Sequence, residues 1–478
     1  MGTRSLSSTA NCRPPGSAQN ALRLQTSPHN VSEMQRDLQA SPQMTSTGYT
    51  VPSLLQLNDD VLALILRQLN LYEQFELAQL HSRLESIRQT LWRTRVQNVL
   101  LWGEMFAISP PKPRHFLAFI QALVPHMEHL CLQNIDVRKL RLLSGLKLPA
   151  VHTLEWLGLP TYRGRLVDED VRLLQRVFPS LRTLKLRSCR ITGKYLGEFP
   201  LLTELSLDDC HHLDSEHFRE IFRQLRLRKF DIMEDCDEVN CCDLVDVQQC
   251  LTLEHIKIAD YHLCMEEGIT QDLLRMPALH KLSIYSKNFV FDVLERIARH
   301  GNGNDGGKVI DGFRFSGTPH NFERLFRELG NLRHLRRLAV DGCCSLAGND
   351  VECITDYMLL ELSQKLPELC ELRFSGCELE SYRGLLHFVV NCRQLRLLDI
   401  TRSRRIGDSF VWRCLELLVK QKWRTQPLEL WIRQSDIDNN IVQNPRFIPN
   451  DKLLKIDSRS LTHNMEQLSG VLKFTFVR

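Results

Sequence analysis

Leu181-Arg-Thr-Leu184-Lys-Leu186 is the clearest copy of a short phrase that recurs along most of this chain. The phrase is an apolar residue, two variable residues, an apolar residue, one variable residue and a third apolar residue. Clean copies also start at Leu202 and Leu335. Looser copies start at Met127, Val151, Leu227, Leu253, Leu279, Ile310, Leu369 and Leu395. A phrase that returns at a regular distance indicates one supersecondary unit repeated many times.

Each copy predicts a β-strand followed by a helix. Successive side chains of a strand point to opposite faces, so the fourth and sixth places of the phrase point together into a core. Farther along one repeat, Phe218, Ile221, Phe222 and Leu225 fall at helical spacing. The copies start about 21 to 34 residues apart, close to the period of leucine-rich repeats. We therefore predict an α/β fold over residues 127–478: a leucine-rich-repeat solenoid with a parallel inner sheet and outer helices.

The inner sheet of such a solenoid is its natural binding surface, and the variable places of the phrase lie on it. The predicted substrate-binding residues at these places are Lys185, Arg187, Asp208, Asp231, Met233, Lys257, Tyr285, Arg314 and Arg373. Glu155, Asp341 and Asp399 lie at equivalent places. A surface that follows a phosphate backbone would be uniformly basic, so these mixed charges favour a protein partner over nucleic acid.

The composition is that of a globular protein in a reducing compartment. The 478 residues are 43% hydrophobic and 25% charged, and the formal net charge of +4 is too small to attract nucleic acid or membranes in general. No apolar stretch reaches the roughly 20 residues of a membrane span, and the N-terminus lacks the apolar core of a secretory signal. We therefore expect a cytoplasmic or nuclear protein with reduced cysteines and no membrane contact.

The 16 cysteines do not form the evenly spaced framework of a small disulfide-rich domain. Four of them follow the first residue of a phrase by eight positions: Cys189, Cys210, Cys343 and Cys377. In this respect the chain resembles the cysteine-containing class of leucine-rich repeats. The resemblance implies a buried thiol near backbone amides, where the chain turns from strand to helix.

A second group of cysteines raises the possibility of a metal site. Its members are Cys236, Cys241, Cys242 and Cys250, with His211 and His212 upstream. They lack the tight, repeated pair spacing of a zinc knuckle. We therefore predict structural thiols and no bound metal, an expectation that stoichiometric zinc in the purified protein would overturn.

The chain carries no familiar catalytic motif. It contains no P-loop, Gly-x-Ser-x-Gly or His-Glu-x-x-His, and a Gly-x-Gly-x-x-Gly spacing occurs at Gly301, Gly303 and Gly306. The stretch 301–307 is rich in glycine but lacks the Lys-Ser/Thr ending of a phosphate loop, and we interpret it as an insertion between repeats. We therefore expect a protein that is not an enzyme and needs no cofactor.

Three segments precede the repeats. Residues 1–50 are rich in Ser, Thr, Pro, Gln and Asn and are predicted to be a disordered tail. Residues 51–105 are predicted to form three helices. The first runs from Leu57 to Leu69 with Asn58 as its cap, and the third runs from Ile87 to Leu101. Residues 106–126 are predicted to be a linker and a helix that leads into the first repeat.

The three-helix unit resembles an F-box. The resemblance is carried by Leu57-Asn-Asp-Asp-Val-Leu-Ala-Leu-Ile-Leu-Arg-Gln-Leu69, Phe75-Glu-Leu77 and Leu80-His-Ser-Arg-Leu84. Family members usually begin Leu-Pro-x-Glu-Ile/Leu-Leu and later carry Val-Cys-x-x-Trp. Here Asn58 replaces the proline, and the Val, Cys and Trp places hold Leu, His and Leu. The apolar frame is kept, and the unit stands directly before cysteine-class repeats, a familiar pairing.

The resemblance implies a substrate-recognition subunit of an SCF ubiquitin ligase. An F-box binds the Skp-family adaptor, which connects to a cullin and a RING subunit, while the repeats hold a protein substrate for ubiquitination and proteasomal turnover. The residues that we assign to the adaptor contact are Leu57, Val61, Leu62, Ile65, Leu66, Leu69 and Phe75. The alternative is a non-degradative scaffold in which these helices only cap the solenoid.

The last part of the chain departs from the phrase. Leu428 to Ile432, Leu454 to Ile456 and Leu472 to Phe476 are predicted to be strands, and irregular final repeats are expected to cap the core. Arg402, Arg404 and Arg405 form a basic cluster. The cluster is either a solvated loop or a docking point for an acidic or phosphorylated substrate.

Overall fold

The structure is a computed structural model that describes residues 54–106, 111–158, 165–210, 212–232, 247–259, 267–285, 291–301, 308–316, 321–341, 353–403, 405–421, 423–424, 426–438, 440–457 and 471–476. The predicted tail at 1–50 lies outside these residues. The chain forms two compact units, which divide between Arg88 and Gln89.

Polar caps begin the first two helices of the first unit. Its helices are α1 (Asp59–Gln68), α2 (Leu71–Ala78) and the first part of α3 (Ser82–Arg95). Asn58 Oδ1 accepts a hydrogen bond from the Val61 N–H at 2.9 Å, which confirms the predicted cap. Asn70 and Glu73 form a reciprocal capping box at α2. Such caps satisfy N–H groups that have no partner within the helix.

Arg83 fastens the start of α3 to the start of α1. Its guanidinium lies 2.7 Å from the Asp59 carboxylate and donates hydrogen bonds to the carbonyl oxygens of Leu55 and Leu57 at 2.6 and 2.8 Å. One planar guanidinium with five donors can bind several acceptors at once. The first unit is therefore fixed by polar contacts as well as by its apolar core.

The predicted end of the third helix is wrong. The helix was expected to reach Leu101, whereas α3 ends at Arg95 and Asn98–Trp102 forms a strand, β1. Val99 and Leu101 are buried and alternate with more exposed neighbours, which is the period of a strand.

Strand β1 extends the sheet upstream of residue 127, where we placed the start of the repeats. It pairs in parallel with His129–Gln133, so its backbone groups find partners 31 residues later in the chain. A buried backbone N–H or C=O group needs a hydrogen-bond partner. The local sequence pattern around β1 does not show that this partner lies 31 residues later, so the strand was missed.

The described residues of the second unit contain one 15-stranded sheet. After β1, its strands are β2 (His129–Gln133), β3 (Thr153–Leu157), β4 (Thr183–Arg187), β5 (Glu204–Asp208), β6 (Lys229–Ile232), β7 (His255–Ala259), β8 (Lys281–Tyr285), β9 (Ile310–Ser316), β10 (Arg337–Asp341), β11 (Glu371–Ser375), β12 (Leu397–Asp399), β13 (Leu428–Trp431), β14 (Leu454–Asp457) and β15 (Val471–Phe476).

Helices alternate with most of these strands. They are α4 (Pro113–Leu123), α5 (Val137–Leu142), α6 (Asp168–Val177), α7 (Ser215–Gln224), α8 (Glu267–Arg275), α9 (Phe291–His300), α10 (Phe322–Leu329), α11 (Asp356–Lys365), α12 (Arg383–Asn391) and α13 (Asp408–Lys420). None of the helices in the described part of the chain has the length and apolar character of a membrane span.

Parallel pairing in register places equivalent residues of the phrase side by side. Leu184 lies between Leu154 and Leu205, and all three are buried. The helices cover the same face of the sheet, since the ring centroid of Phe222 on α7 lies 5.1 Å from that of Phe230 on β6. Each fully buried leucine contributes about 1.5–3 kcal/mol. The fold is therefore an α/β leucine-rich-repeat solenoid, as predicted.

Three of the four predicted repeat cysteines are described, and all three are buried. Cys189 and Cys210 each lie two residues beyond the end of a strand and donate to the carbonyl oxygens of Arg187 and Asp208 at 3.5 and 3.4 Å. Cys377 donates to a carbonyl of the preceding repeat at 3.2 Å. A small side chain with a weak donor suits this place. Cys343 lies outside the described residues.

The last strand, β15, does not lie at the end of the solenoid. It is inserted between β8 and β9 and is antiparallel to both. Lys473 lies opposite Ser283 on one side and Arg314 on the other. The ring of Phe474 is fully buried, 5.1 Å from that of Phe313. The strand is as predicted, but its expected place as a terminal cap is wrong.

The helical layer is continuous at the point where β15 enters the sheet. Helices α9 and α10 are direct neighbours there, since Arg324 donates to the Asp292 carboxylate at 2.9 Å. Among the described residues, no helix accompanies β15. The sheet is therefore wider than the helical layer at this point by one strand, about 4.8 Å.

Candidate protein-interaction surfaces

Three of the residues predicted to contact an adaptor belong to the core. Leu62, Leu66 and Phe75 are exposed by only 1%, 0% and 6%. Their assignment to the adaptor contact is corrected, because a side chain enclosed by its own protein cannot reach a partner. They stabilise the helical unit instead.

The other predicted adaptor residues reach the surface. Leu57 and Val61 are exposed, and Ile65 and Leu69 are half-buried. These four positions follow one another at four-residue steps, which places them on one side of α1 and its ends. Leu64, which the sequence-based assignment missed, is more than half exposed beside them. We name these five residues the α1 apolar row.

The sheet has one face covered by helices and one that we name the open face. On β4, Leu184 and Leu186 are buried, whereas Lys185 is half-buried and Arg187 is exposed. The described side chains among the predicted substrate-binding residues occupy open-face positions: Lys185, Arg187, Asp208, Asp231, Lys257, Arg314 and Arg373. The prediction of which side chains share this face is confirmed for these seven.

Two further predicted residues cannot be assigned in full. Met233 lies outside the described residues. Only the backbone of Tyr285 is described, opposite Ala259 on β7 and Val471 on β15. Their roles stay predictions.

Ion pairs cross neighbouring strands on the first part of the open face. Lys185 pairs with Glu155 on β3, and Arg187 Nε lies 3.1 Å from the Asp208 carboxylate on β5. Each of these cations is substantially exposed. Such pairs contribute only about 0–1 kcal/mol, so a ligand can replace one partner at little cost.

Acidic and aromatic side chains accompany the cations on the later strands. Arg314 Nε lies 2.6 Å from the Asp341 carboxylate. Burial raises the pKa of Asp341, although the charge and hydrogen bond of Arg314 oppose this shift. The Arg373 guanidinium lies 4.9 Å from the ring centroid of Trp431, within cation–π range.

His255 lies among cations at the centre of the open face. It is opposite Lys229 on β6 and Lys281 on β8. Burial, together with the charges of Lys281, Lys229 and Lys257, lowers the pKa of His255 to about 3. The imidazole is therefore neutral at physiological pH, and its Nε2 lies 3.3 Å from Ser283 Oγ.

Asp231 is the buried acid of this central region. Its Oδ2 lies 3.1 Å from Lys229 Nζ, and the residue is only 6% exposed. Its Oδ1 has no hydrogen-bond partner among the described residues. A buried carboxylate oxygen needs a donor, which water or a ligand can supply.

The basic cluster of the late repeat is partly engaged within the chain. Arg405 lies 2.7 Å from the Glu378 carboxylate, and Arg402 Nε donates to Gln434 Oε1 at 3.1 Å. Arg404 lies outside the described residues. Docking of an acidic substrate at this cluster stays a prediction.

Of the four cysteines grouped upstream of β7, the structure describes only Cys250. Its thiol is buried and donates to the carbonyl oxygens of Leu225 and Leu227 at 3.4 and 3.6 Å. The other three cysteines and His211 lie outside the described residues. Within the part of the chain that the structure describes, no group of three His, Cys, Asp or Glu side chains is placed to hold a metal ion.

Some open-face residues were missed by the sequence-based assignment. Lys229 and Lys281 occupy the first place of their strands, on the same face as the third place. The alternation of side chains along a strand would have placed both lysines on the open face, because each lies two residues before another residue of that face. Lys473 gave no such signal, because nothing near it in the sequence identifies β8 and β9 as its partners.

Comparisons with known proteins do not assign the chain to a family. No protein-family model and no curated protein matches the sequence. Among solved structures, a complex of TLR13 with ssRNA13 matches with a TM-score of 0.36 and 13% identity, over 71% of this chain and 51% of that one. The complex of Rad7 and Elc1 in yeast matches with a TM-score of 0.27 and 13% identity, over 90% and 95% of the two chains. The chain thus spans about half of TLR13, and both TM-scores are too low to support an argument about function.

Proposed function

We propose that this chain is the substrate-recognition subunit of an SCF ubiquitin ligase. It binds the Skp-family adaptor through the α1 apolar row and a protein substrate through the open face of the solenoid. The adaptor connects it to the cullin and RING subunits. The chain performs no bond chemistry; it raises the effective concentration of substrate lysines near activated ubiquitin.

The α1 apolar row is the observation that carries the proposal. Val61 and Leu64 are 37% and 54% exposed on a helix whose other side is buried. Single exposed apolar residues are ordinary, but a row of them along one helix is typical of a surface that meets a partner. The same helix resembles the first helix of an F-box.

The repeats support the other half of the proposal. Leucine-rich-repeat solenoids present extended surfaces for protein interaction. The open face carries cations and anions on neighbouring strands, as in the pair of Arg187 and Asp208. Such a surface suits recognition of another protein by charge complementarity.

The test is a titration of the purified full chain with the Skp-family adaptor. We expect micromolar or tighter binding by the parent chain, and a loss of tenfold or more in Val61→Asp/Leu64→Asp, because a few apolar anchors carry most of a helical interface. Both residues are exposed, so the variant should keep the melting temperature of the parent. The matched control is Leu201→Asp/Leu251→Asp, since these leucines are 50% and 63% exposed at turns of the solenoid.

The outcomes separate the two functions. Equal binding by both variants excludes the α1 apolar row as the adaptor site. A folded parent chain that binds no adaptor favours the non-degradative scaffold, in which the helices are only a cap.

A further inference from the structure

Strand β15 fills a space between β8 and β9 that we name the strand slot. It pairs with β8 at five positions and with β9 at six. The helices beneath are already in contact without it, through Arg324 on α10 and Asp292 on α9. Strand β15 can therefore leave the sheet without opening the helical layer, because pairing and side-chain contacts within the slot are what hold it.

The open-face side of the strand slot is shaped around one threonine. Thr475 lies opposite Gly312, and a Cβ atom at residue 312 would stand only 2.1 Å from Thr475 Oγ1. That hydroxyl donates to the Asp311 carboxylate at 2.9 Å and accepts a hydrogen bond from Arg337 at 3.2 Å. Arg337 is itself paired with Asp311 at 2.9 Å. The missing side chain at Gly312 therefore makes room for a residue that this polar network recognises.

The covered side of the strand slot holds two aromatic rings. Phe474 is fully buried, and its ring centroid lies 5.1 Å from that of Phe313 on β9. Phe476 is 4% exposed, and its N–H donates to the His280 carbonyl at 3.0 Å. Together the two sides of the slot fit an extended segment with the sequence Phe-Thr-Phe.

The chain between β14 and β15 is long for the distance that it must cover. Five strand spacings separate β14 from β9 in the sheet, which is about 24 Å. From Asp457 to Val471 there are 14 residue steps, which can span roughly 46 Å. This connection is about twice as long as its own slot requires, so β15 can also reach the slot of another molecule.

We propose that the strand slot accepts β15 of a second copy of this chain, so that two copies form a dimer by exchanging this strand. The occupant is a second copy because the slot fits Phe474-Thr475-Phe476 on both sides, and another copy carries that sequence. The inference goes beyond the proposed function and does not depend on it.

The exchange conserves the contacts of β15. In the dimer each slot holds the same rings and hydrogen bonds as in the closed monomer, so the two forms differ mainly in the entropy of association and of the tether. A flexible tether gives an effective concentration of about a millimolar. The closed monomer therefore prevails at micromolar concentration, and exchange increases when a chain cannot use its own β15.

The experiment mixes two full-length variants that cannot fill their own slots. The donor, Gly312→Val, has a blocked slot and an intact β15. The acceptor, Phe474→Asp, has an intact slot and a β15 that cannot enter it, because a carboxylate would replace the buried ring. Light scattering after size exclusion should show monomers for each variant alone at about 10 μM. The mixture should form a 1:1 dimer with about twice the 55.5 kDa of one chain.

Two modified donors test whether β15 forms this contact. Adding Phe474→Ala to the donor should weaken the dimer tenfold or more, because the ring that fills the slot is removed. The matched control adds Lys473→Ala, one residue away on the open face, and should weaken it less than about fivefold. Melting temperatures establish that each variant is folded.

Hydrogen exchange of the parent chain tests the proposal even where a variant does not fold. If β15 leaves the sheet by itself, its amides should exchange at least tenfold faster than those of β4 and β5, which open only with their repeats. Equal protection of β15, β4 and β5 would overturn the proposal.

Two results of the mixing experiment would also overturn it. If two folded variants form no dimer, the slot does not accept a strand from another molecule. If either variant dimerises alone, the copies associate elsewhere. Neither variant alters the α1 apolar row, so the adaptor titration tests the proposed function separately.

Discussion

His255 shows how one ionisable residue can be unfavourably placed at the centre of the open face. Its imidazole is surrounded by Lys229 from β6, Lys281 from β8 and Lys257 from its own strand, with His280 also nearby. The folded-state pKa of His255 is about 3, against 6.5 in the unfolded chain. Charges that repel a proton from His255 are the same charges that would attract an acidic ligand.

A prediction follows for the pH dependence of stability. Between the two pKa values the unfolded chain binds a proton at His255 that the folded chain does not, so this residue lowers stability as pH falls below about 6.5. We expect His255→Gln to reduce the loss of unfolding free energy between pH 7 and pH 5 by about 1 kcal/mol, after allowance for solvent screening. Urea unfolding at the two pH values measures it. Identical pH dependence in parent and variant would contradict the prediction.

Sequence reasoning could place Lys185 and Arg373 on the open face, because alternation within a strand is a local property. It could not predict that Leu62 is buried and Val61 exposed. Both residues belong to the same apolar run, and their burial depends on which side of α1 the rest of the protein covers. It also could not place Lys473. Its neighbours come from strands about 160 to 190 residues earlier, and no local pattern encodes that pairing.

At the scale of secondary-structure elements, β15 unites two series of parallel strands. Strands β1 to β8 pair in sequence, as do β9 to β14, and β15 joins the two series by antiparallel pairing on both sides. Phe474 and Phe476 lie on the covered face and are buried. An alternating pattern predicts such a strand, but any open edge could accept it. Strand β1 was missed for a related reason, since its partner lies beyond α4.

The two faces of β15 should respond differently to mutation. We expect Phe474→Ala to lower the free energy of unfolding by about 3–5 kcal/mol, because a fully buried aromatic ring leaves a cavity when it is removed. Lys473→Ala, on the open face next to it, should change that free energy by less than about 1 kcal/mol. Chemical denaturation of the two variants measures the difference. Equal effects would mean that β15 is not seated in the sheet with Phe474 inward.

At the scale of the whole molecule, the chain has two compact units that carry different candidate surfaces. The α1 apolar row belongs to the first unit, and the open face of the sheet belongs to the second. The order of modules was predictable, because repeats and helical periods are read locally. The sheet of 15 strands with one out of sequence was not, because its order depends on contacts between distant segments.

Two surfaces on separate units should act independently. We expect Lys257→Glu/Lys473→Glu, on the open face of the second unit, to leave the adaptor affinity of the parent chain unchanged, so that the coupling between the two units stays within about 0.5 kcal/mol. The adaptor titration described above measures this affinity for the variant and the parent chain. A larger coupling would show that the surfaces communicate and would reject the view of two separate modules.

The position of β15 also has a consequence for biosynthesis. Residue 471 follows the end of β9 by 471 − 316 = 155 residues, so the ribosome releases both β8 and β9 long before their common partner. At translation rates of about 5–20 residues per second, this interval lasts roughly 8 to 30 seconds. During that time the nascent chain has two unfilled strand edges in the middle of its sheet, which are sites for incorrect pairing and for chaperone binding. Strand β15 thus completes the centre of the sheet long after its two neighbours are made, and translation that stops shortly before residue 471 would leave both edges open.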